Sequence, residues 1–149
     1  MITVRRGSLD DFPVMLDMGR AMQAESLIPY PSIDEAVYRA TVTVLGERYF
    51  IALAEREGEA VGMLTAFRTP FTFSAVEFAK HDIFYVRPSV RGSKAALKLV
   101  RAFEAWRAEC GLDKAVLSVD TGLRPGVTGR FYERLGYRLM GGQYMKEFG

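Results

Sequence analysis

The stretch Tyr85–Ala96 constrains this chain more than any other part of it. Apolar residues run up to Val86, Pro88 halts them, and a helical pattern starts near Lys94. That pattern puts Ala96, Leu97, Leu99, Val100, Phe103 and Trp106 on one face. A strand therefore feeds a helix through a short loop of small and basic residues. A helix N-terminus presents unpaired N–H groups and the positive end of the macrodipole. Gly92 permits a left-handed turn, so successive N–H groups can converge into a nest. Ser93 lies within this turn, and Ala95 and Ala96 keep the first helical turn slim. Arg91, Lys94 and Arg87 add charge-assisted contacts. These features suit a pyrophosphate, although a basic loop that only caps a helix has the same composition. The spacing of a P-loop is absent, and so is a dinucleotide-binding glycine fingerprint.

The rest of the chain alternates in the same way. Ile2–Arg5 reads as a strand, and Ser8 caps a helix that runs to about Ala24. Ser32 or Asp34 opens a second helix, with Ala36, Val37, Ala40 and Val44 facing inward and Gly46 ending it. Tyr49–Glu55 and Ala60–Phe67 form a hairpin around Glu57-Gly58-Glu59. An extended stretch spans Phe73–Val86. After the third helix, which Gly111 closes, come a buried strand at Ala115–Val119 and a short helix at Thr128–Leu135. Tyr137–Met140 and Gln143–Phe148 read as a terminal hairpin across Gly141-Gly142. The order predicts one α/β (α+β) domain over residues 1–149. Its sheet is mixed, mostly antiparallel and of about seven strands, with four flanking helices.

Composition narrows the partners. The formal net charge of +2 is too small to argue for nucleic acid on its own, and nucleic acid is not expected as a partner. The remaining case for nucleic acid rests on Arg87, Arg91, Lys94, Lys98 and Arg101, with Lys98 and Arg101 on the solvated side of the third helix. One cysteine, Cys110, allows no internal disulfide and favours a cytosolic (cytoplasmic) setting. It reads as a helix-end residue rather than a nucleophile. One histidine and no Cys/His spacing leave no metal site in view. No apolar run reaches the ~20 residues of a membrane span, and Met1–Arg6 reads as a strand rather than a signal peptide.

Arg91-Gly92-Ser93-Lys94-Ala95-Ala96 resembles the signature Arg/Gln-x-x-Gly-x-Gly/Ala of the GNAT superfamily of N-acetyltransferases. Arg91 and Ala96 match its ends, and Lys94 replaces its middle glycine. Further on, Phe131-Tyr132-Glu133-Arg134-Leu135-Gly136-Tyr137 is similar to the family's Phe-Tyr-Glu-Lys-Leu-Gly-Phe segment. The asparagine often found before that tyrosine is missing, with Pro125 near its place. The element order agrees along the whole chain.

The resemblance implies a sheet splayed between strands 4 and 5, with a bulge in strand 4. It implies acetyl-CoA as co-substrate, its pantetheine arm lying in the split beside backbone groups of Phe84, Tyr85 and Val86. A backbone N–H there would steady the developing oxyanion. The expected reaction is direct acetyl transfer to a primary amine of a small molecule or peptide in a ternary complex. Tyr132 matches the tyrosine that protonates the leaving thiolate.

For the base, strand parity puts Val86, Phe84, Asp82 and Lys80 on one face unless a bulge shifts the register. Asp82 is the first candidate. His81 is the second, as a side-chain type that titrates near neutrality. Helices one and two offer Met15, Met18, Met22, Glu25, Tyr30 and Tyr38 to an acceptor, and Phe71 and Phe73 form either a wall of the site or a hairpin tip. Homodimerisation is compatible with the sequence and not dictated by it. A catalytically silent CoA-binding or structural domain is the alternative reading.

Overall fold

The computed structural model describes residues 1–149. Strand β1 is Ile2–Arg6. Ser8 then makes a capping box with Asp11 over a single 3-10 turn, and helix α1 follows at Phe12–Glu25 with Pro13 in its first turn. Asp34 caps helix α2, Glu35–Leu45, by accepting from the Val37 amide, and Gly46 ends it at φ +53°. Strands β2 (Tyr49–Arg56), β3 (Glu59–Pro70) and β4 (Glu77–Val86) follow. Helix α3 is Ala95–Glu109, β5 is Ala115–Val116, and helix α4 is Pro125–Arg134.

The sheet has the order β1-β2-β3-β4-β5. Its first four strands are antiparallel, and β5 runs parallel to β4. Two apolar clusters sandwich it. On one face α3 packs Leu99, Val100, Phe103 and Trp106 onto Phe50, Ala52, Leu64 and Ala79, with Trp106 stacked on Phe50. On the other, Met15, Met18 and Val42 of α1 and α2 cover Tyr49, Ile51, Leu53, Met63 and Tyr85.

Two expectations are corrected. The sheet has five strands rather than about seven. β5 stops at Val116, and residues 137–149 pair with nothing in the sheet. Leu139, Met140, Tyr144 and Phe148 are left exposed. The buried face of α2 is Tyr38, Val42 and Leu45, spaced i, i+4, i+7, whereas Val37 and Val44 face outward.

Gly62 of β3 lies opposite Val86 at the end of β4. A Cβ there would sit 3.0 Å from the Tyr85 carbonyl oxygen and 3.3 Å from Leu99 Cδ1. The substitution Gly62→Ala is expected to destabilise the fold by about 1–2 kcal/mol, because the obstacle is backbone and cannot rotate away. Urea unfolding measures this directly.

Candidate active site

The split in the sheet is the central feature. β4 and β5 pair only at Ala79↔Ala115 and Lys80↔Val116. Beyond that point the chains diverge. Antiparallel ladders alternate, so every second residue of a strand aims its N–H and C=O at the partner. The Arg87 amide bonds the Val61 carbonyl at 2.8 Å, and the Ile83 amide bonds Thr65 Oγ1 at 3.1 Å. By that alternation Tyr85, opposite Met63, also faces β3. Phe84 and Val86 therefore point their backbone polar groups into the open split. Of the three residues named for the pantetheine arm, Phe84 has both edge groups free, Val86 has a free amide but a carbonyl bonded by Arg91, and Tyr85 is committed to the ladder.

The loop beyond β4 brings a second set of donors to the mouth of the split. Gly92 adopts φ +88°, the left-handed turn expected of it. Lys94 occupies the N-cap of α3 without a side-chain cap. The Ser93 hydroxyl accepts from the Ala95 amide at 3.2 Å. The amides of Gly92, Lys94, Ala96 and Leu97 meet no backbone or side-chain acceptor. These unbonded donors lie at the positively polarised N-terminal end of α3.

The basic side chains are disposed differently from the sequence expectation. Arg87 turns to Asp17 on α1 at 2.8 Å and to the Ala60 carbonyl at 3.3 Å. Arg91 grips Glu25 bidentately, at 2.8 and 3.1 Å, while its Nε donates to the Val86 carbonyl at 3.0 Å. Lys98 donates to the Ile2 carbonyl, and Arg101 lies beside Glu104. The basic stripe considered for nucleic acid is thus largely occupied within the fold.

Tyr132, on α4, is buried and donates its hydroxyl to the Ser118 carbonyl at 2.9 Å. Ser118 lies just past β5, on the far wall of the split. Its amide bonds Nδ1 of His81 at 3.0 Å. His81 is buried, and its Nε2 lies 3.1 Å from Asp120. Because Nδ1 accepts, Nε2 carries the proton and faces the Asp120 carboxylate. No lone pair is left on the ring to take a proton from an amine. The second base candidate is therefore a bridge that stands in for the missing ladder between the diverging strands. Ser118 and Asp120 were not singled out from the sequence, since nothing local marks them as partners of His81.

Asp82 is the extra residue of a β-bulge: Thr65 pairs with Ile83 and Ala66 with His81, so Asp82 has no partner. The bulge changes the parity. His81 and Ala79 now share the α3 face with Phe84 and Val86, while Asp82 turns to the α1/α2 face. There Tyr49 donates to its Oδ2 at 2.7 Å, and Oδ1 is left without a protein donor. The Tyr38 hydroxyl is buried nearby with no hydrogen-bond partner. Met15 and Met18 are core, and Phe71 stacks on Phe78 at the tip of the β3–β4 hairpin, where Phe73 is exposed. The α1–α2 connection crosses the split: the Leu27 amide donates to the Thr121 carbonyl at 2.8 Å. An open groove of about 770 Å³ lies between this connection and residues 143–147.

Burial, and then the Asp120 carboxylate, push the Tyr132 hydroxyl well above the ordinary tyrosine range. Burial and then Asp82 do the same for Tyr49 and Tyr38. A group whose folded pKa is raised contributes stability that is complete below its unfolded pKa and is lost as pH rises towards the folded value. The three tyrosines should thus hold the fold steady up to about pH 10. Above it, absorbance at 295 nm and far-UV circular dichroism should change together as unfolding releases the phenols. Arg91, and secondarily Tyr85, hold the Glu25 carboxyl below its usual range, while burial and Glu25 push Tyr85 up to about 12.

No group of His, Cys, Asp or Glu is arranged to hold a metal ion, and no helix is long and apolar enough to cross a membrane. The fold is a mixed α/β sheet, open along part of its β4–β5 edge and flanked by four helices. The sequence profile of the Acetyltransferase (GNAT) family matches residues 16–137, and the chain belongs to that family. Among solved structures it superposes on a ribosomal-protein-alanine N-acetyltransferase from Brucella melitensis biovar Abortus 2308. That match has a TM-score of 0.78 and 17% identity, covering 100% of this chain and 99% of that one. An aminoglycoside acetyltransferase from an uncultured soil metagenomic sample gives a TM-score of 0.78 at 16% identity, covering 99% and 97%. Glucosamine-6-phosphate N-acetyltransferase from Arabidopsis thaliana gives 0.73 at 15%, covering 100% and 99%. No curated protein sequence matches the chain.

Proposed function

We propose that this protein is an N-acetyltransferase that moves an acetyl group from acetyl-CoA to a primary amine in a ternary complex. The observation that carries this reading is the open edge of β4. Phe84 faces the split with free backbone groups and Val86 with a free amide, its carbonyl being held by Arg91, and the unbonded amides at the start of α3 follow just beyond β4. An extended pantetheine arm bonds such an edge as an added strand, and the pyrophosphate suits the Gly92–Leu97 amides.

In the reaction the amine nitrogen attacks the thioester carbon, a C–N bond forms and the C–S bond breaks. The Phe84 amide faces the split where it can donate to the carbonyl oxygen as charge builds there. Tyr132, kept protonated by burial, supplies the proton the leaving sulfur needs once its bond to Ser118 is exchanged. Asp82 Oδ1 is the acceptor assigned to the proton the amine gives up. Cys110 caps the opposite end of α3 from the split, so no enzyme thiol takes part and transfer is direct.

The named acceptors of the structural neighbours are a ribosomal protein, an aminoglycoside and a glucosamine phosphate. Both peptide and small-molecule amines are therefore open to this fold. The single cysteine and the use of acetyl-CoA fit a cytosolic setting.

Calorimetry with CoA, beside a thiol-release assay over a panel of peptide and small-molecule amines, tests the reading. CoA binding with amine-dependent thiol release supports it. CoA binding without release from any amine, under conditions that saturate the protein, favours the silent-domain alternative. No CoA binding overturns the site. Lys94 is exposed and has no partner in the fold. Lys94→Ala leaves the backbone amide unchanged and removes only an exposed, solvent-screened charge, so CoA affinity should fall by no more than about threefold.

A further inference from the structure

The Val86 carbonyl faces the open edge of β4, and it is already taken. Arg91 Nε donates to it at 3.0 Å. The guanidinium is held there by Glu25, the last residue of α1, through Nη1–Oε1 at 2.8 Å and Nη2–Oε2 at 3.1 Å. Tyr85 reaches across from β4 and donates its hydroxyl to Glu25 Oε2 at 2.6 Å. Both carboxylate oxygens of Glu25 are thereby filled, so it is not free to attract a cationic amine. The other nearby ion pair, Arg87–Asp17 at 2.8 Å, makes no contact with this group.

Resting on the coenzyme site proposed above, we infer that Glu25 is a positioning residue that latches Arg91 across the berth of the pantetheine arm. Coenzyme entry then requires Arg91 Nε to release the Val86 carbonyl, and the Glu25–Tyr85 clamp sets how often it does. The fraction of molecules with the edge open scales the apparent affinity for any ligand that needs that edge. A ligand with phosphates and no arm does not need it. Arg91 is about half exposed, so the clamp is a modest one.

The test compares two ligands by calorimetry: CoA, and adenosine 3′-phosphate 5′-diphosphate, which keeps the phosphates and lacks the arm. The variants are Glu25→Gln, which removes the charge, and Glu25→Asp, which keeps the charge but shortens the reach. Thermal melts confirm that each is folded, and Tyr85→Phe serves as a milder third variant. Both Glu25 variants are expected to tighten CoA about three- to tenfold relative to the armless ligand, as loss of a partly exposed clamp implies. Three outcomes would overturn the latch. They are equal tightening of both ligands, which marks simple removal of a negative charge, no change in either, or weaker CoA binding, which marks Glu25 as an organiser of the loop. Wild-type protein that binds neither ligand would refute the coenzyme site itself, and the latch with it.

Discussion

Replacing Tyr132 by phenylalanine is expected to lower the rate of acetyl transfer about 100-fold and to leave KM for acetyl-CoA nearly unchanged. The reason lies in the environment of one hydroxyl. Tyr132 is buried on α4, and burial and Asp120 hold its proton on. Its only protein acceptor is the Ser118 carbonyl on the far wall of the split. The ring also contacts Phe131 and Tyr137, with centroids 5.9 and 6.2 Å away, and phenylalanine preserves that packing. The stability cost is then the loss of one hydrogen bond, about 1 kcal/mol. Steady-state kinetics with the best amine of the panel separates the effects. A fall in kcat alone marks a group used in the transition state. A rise in KM with kcat intact would reassign Tyr132 to binding or packing.

Gly92→Val is the second large effect, and it falls on binding. Gly92 holds φ +88°, and an added Cβ would meet no atom within 4 Å. Crowding is therefore not the objection. The objection is the backbone region itself, which a β-branched residue enters only at a cost of about 1–3 kcal/mol. The loop is exposed, so it can relax to another conformation while the core stays as it is. Relaxation re-orients the unbonded amides of Gly92, Lys94 and Ala96 at the start of α3. CoA affinity should fall about tenfold or more, with the melting temperature within about 2 °C of wild type. Gly92→Ala should show the same effect at smaller size. Unchanged affinity in the valine variant would mean that the phosphates are held elsewhere.

The parts of this fold legible in the sequence are those fixed by near neighbours. Pro88 and Gly92 mark the end of β4 and the turn beyond it, Asp34 and Gly46 bound α2, and Glu57-Gly58 turns the β2–β3 hairpin with both residues at positive φ. The inward face of α2 was not legible. Val37/Ala40/Val44 and Tyr38/Val42/Leu45 are both apolar stripes, and only the position of the sheet decides between them. The parity of β4 was hidden for a related reason. Thr65 on β3 takes the Ile83 amide, and Asp82 is squeezed out of the ladder. A residue on a neighbouring strand thus decides which face His81 and Asp82 occupy. His81 itself is paired with Ser118 and Asp120, more than thirty residues away. Gly141-Gly142 reads as a turn, but β5 ends at Val116 and offers no ladder for a hairpin to extend.

In the proposed function the split between β4 and β5, with the start of α3, is a coenzyme site. The most direct measurement is residue-resolved amide NMR on the whole protein, titrated with CoA. The amides of Phe84, Val86, Gly92 and Ala96 should shift and slow their exchange on CoA addition. Val4 and Arg6 on the opposite edge of the sheet should stay unchanged. Shifts confined to β1 or the solvated side of α3, or no shifts at saturating CoA, would contradict the coenzyme site.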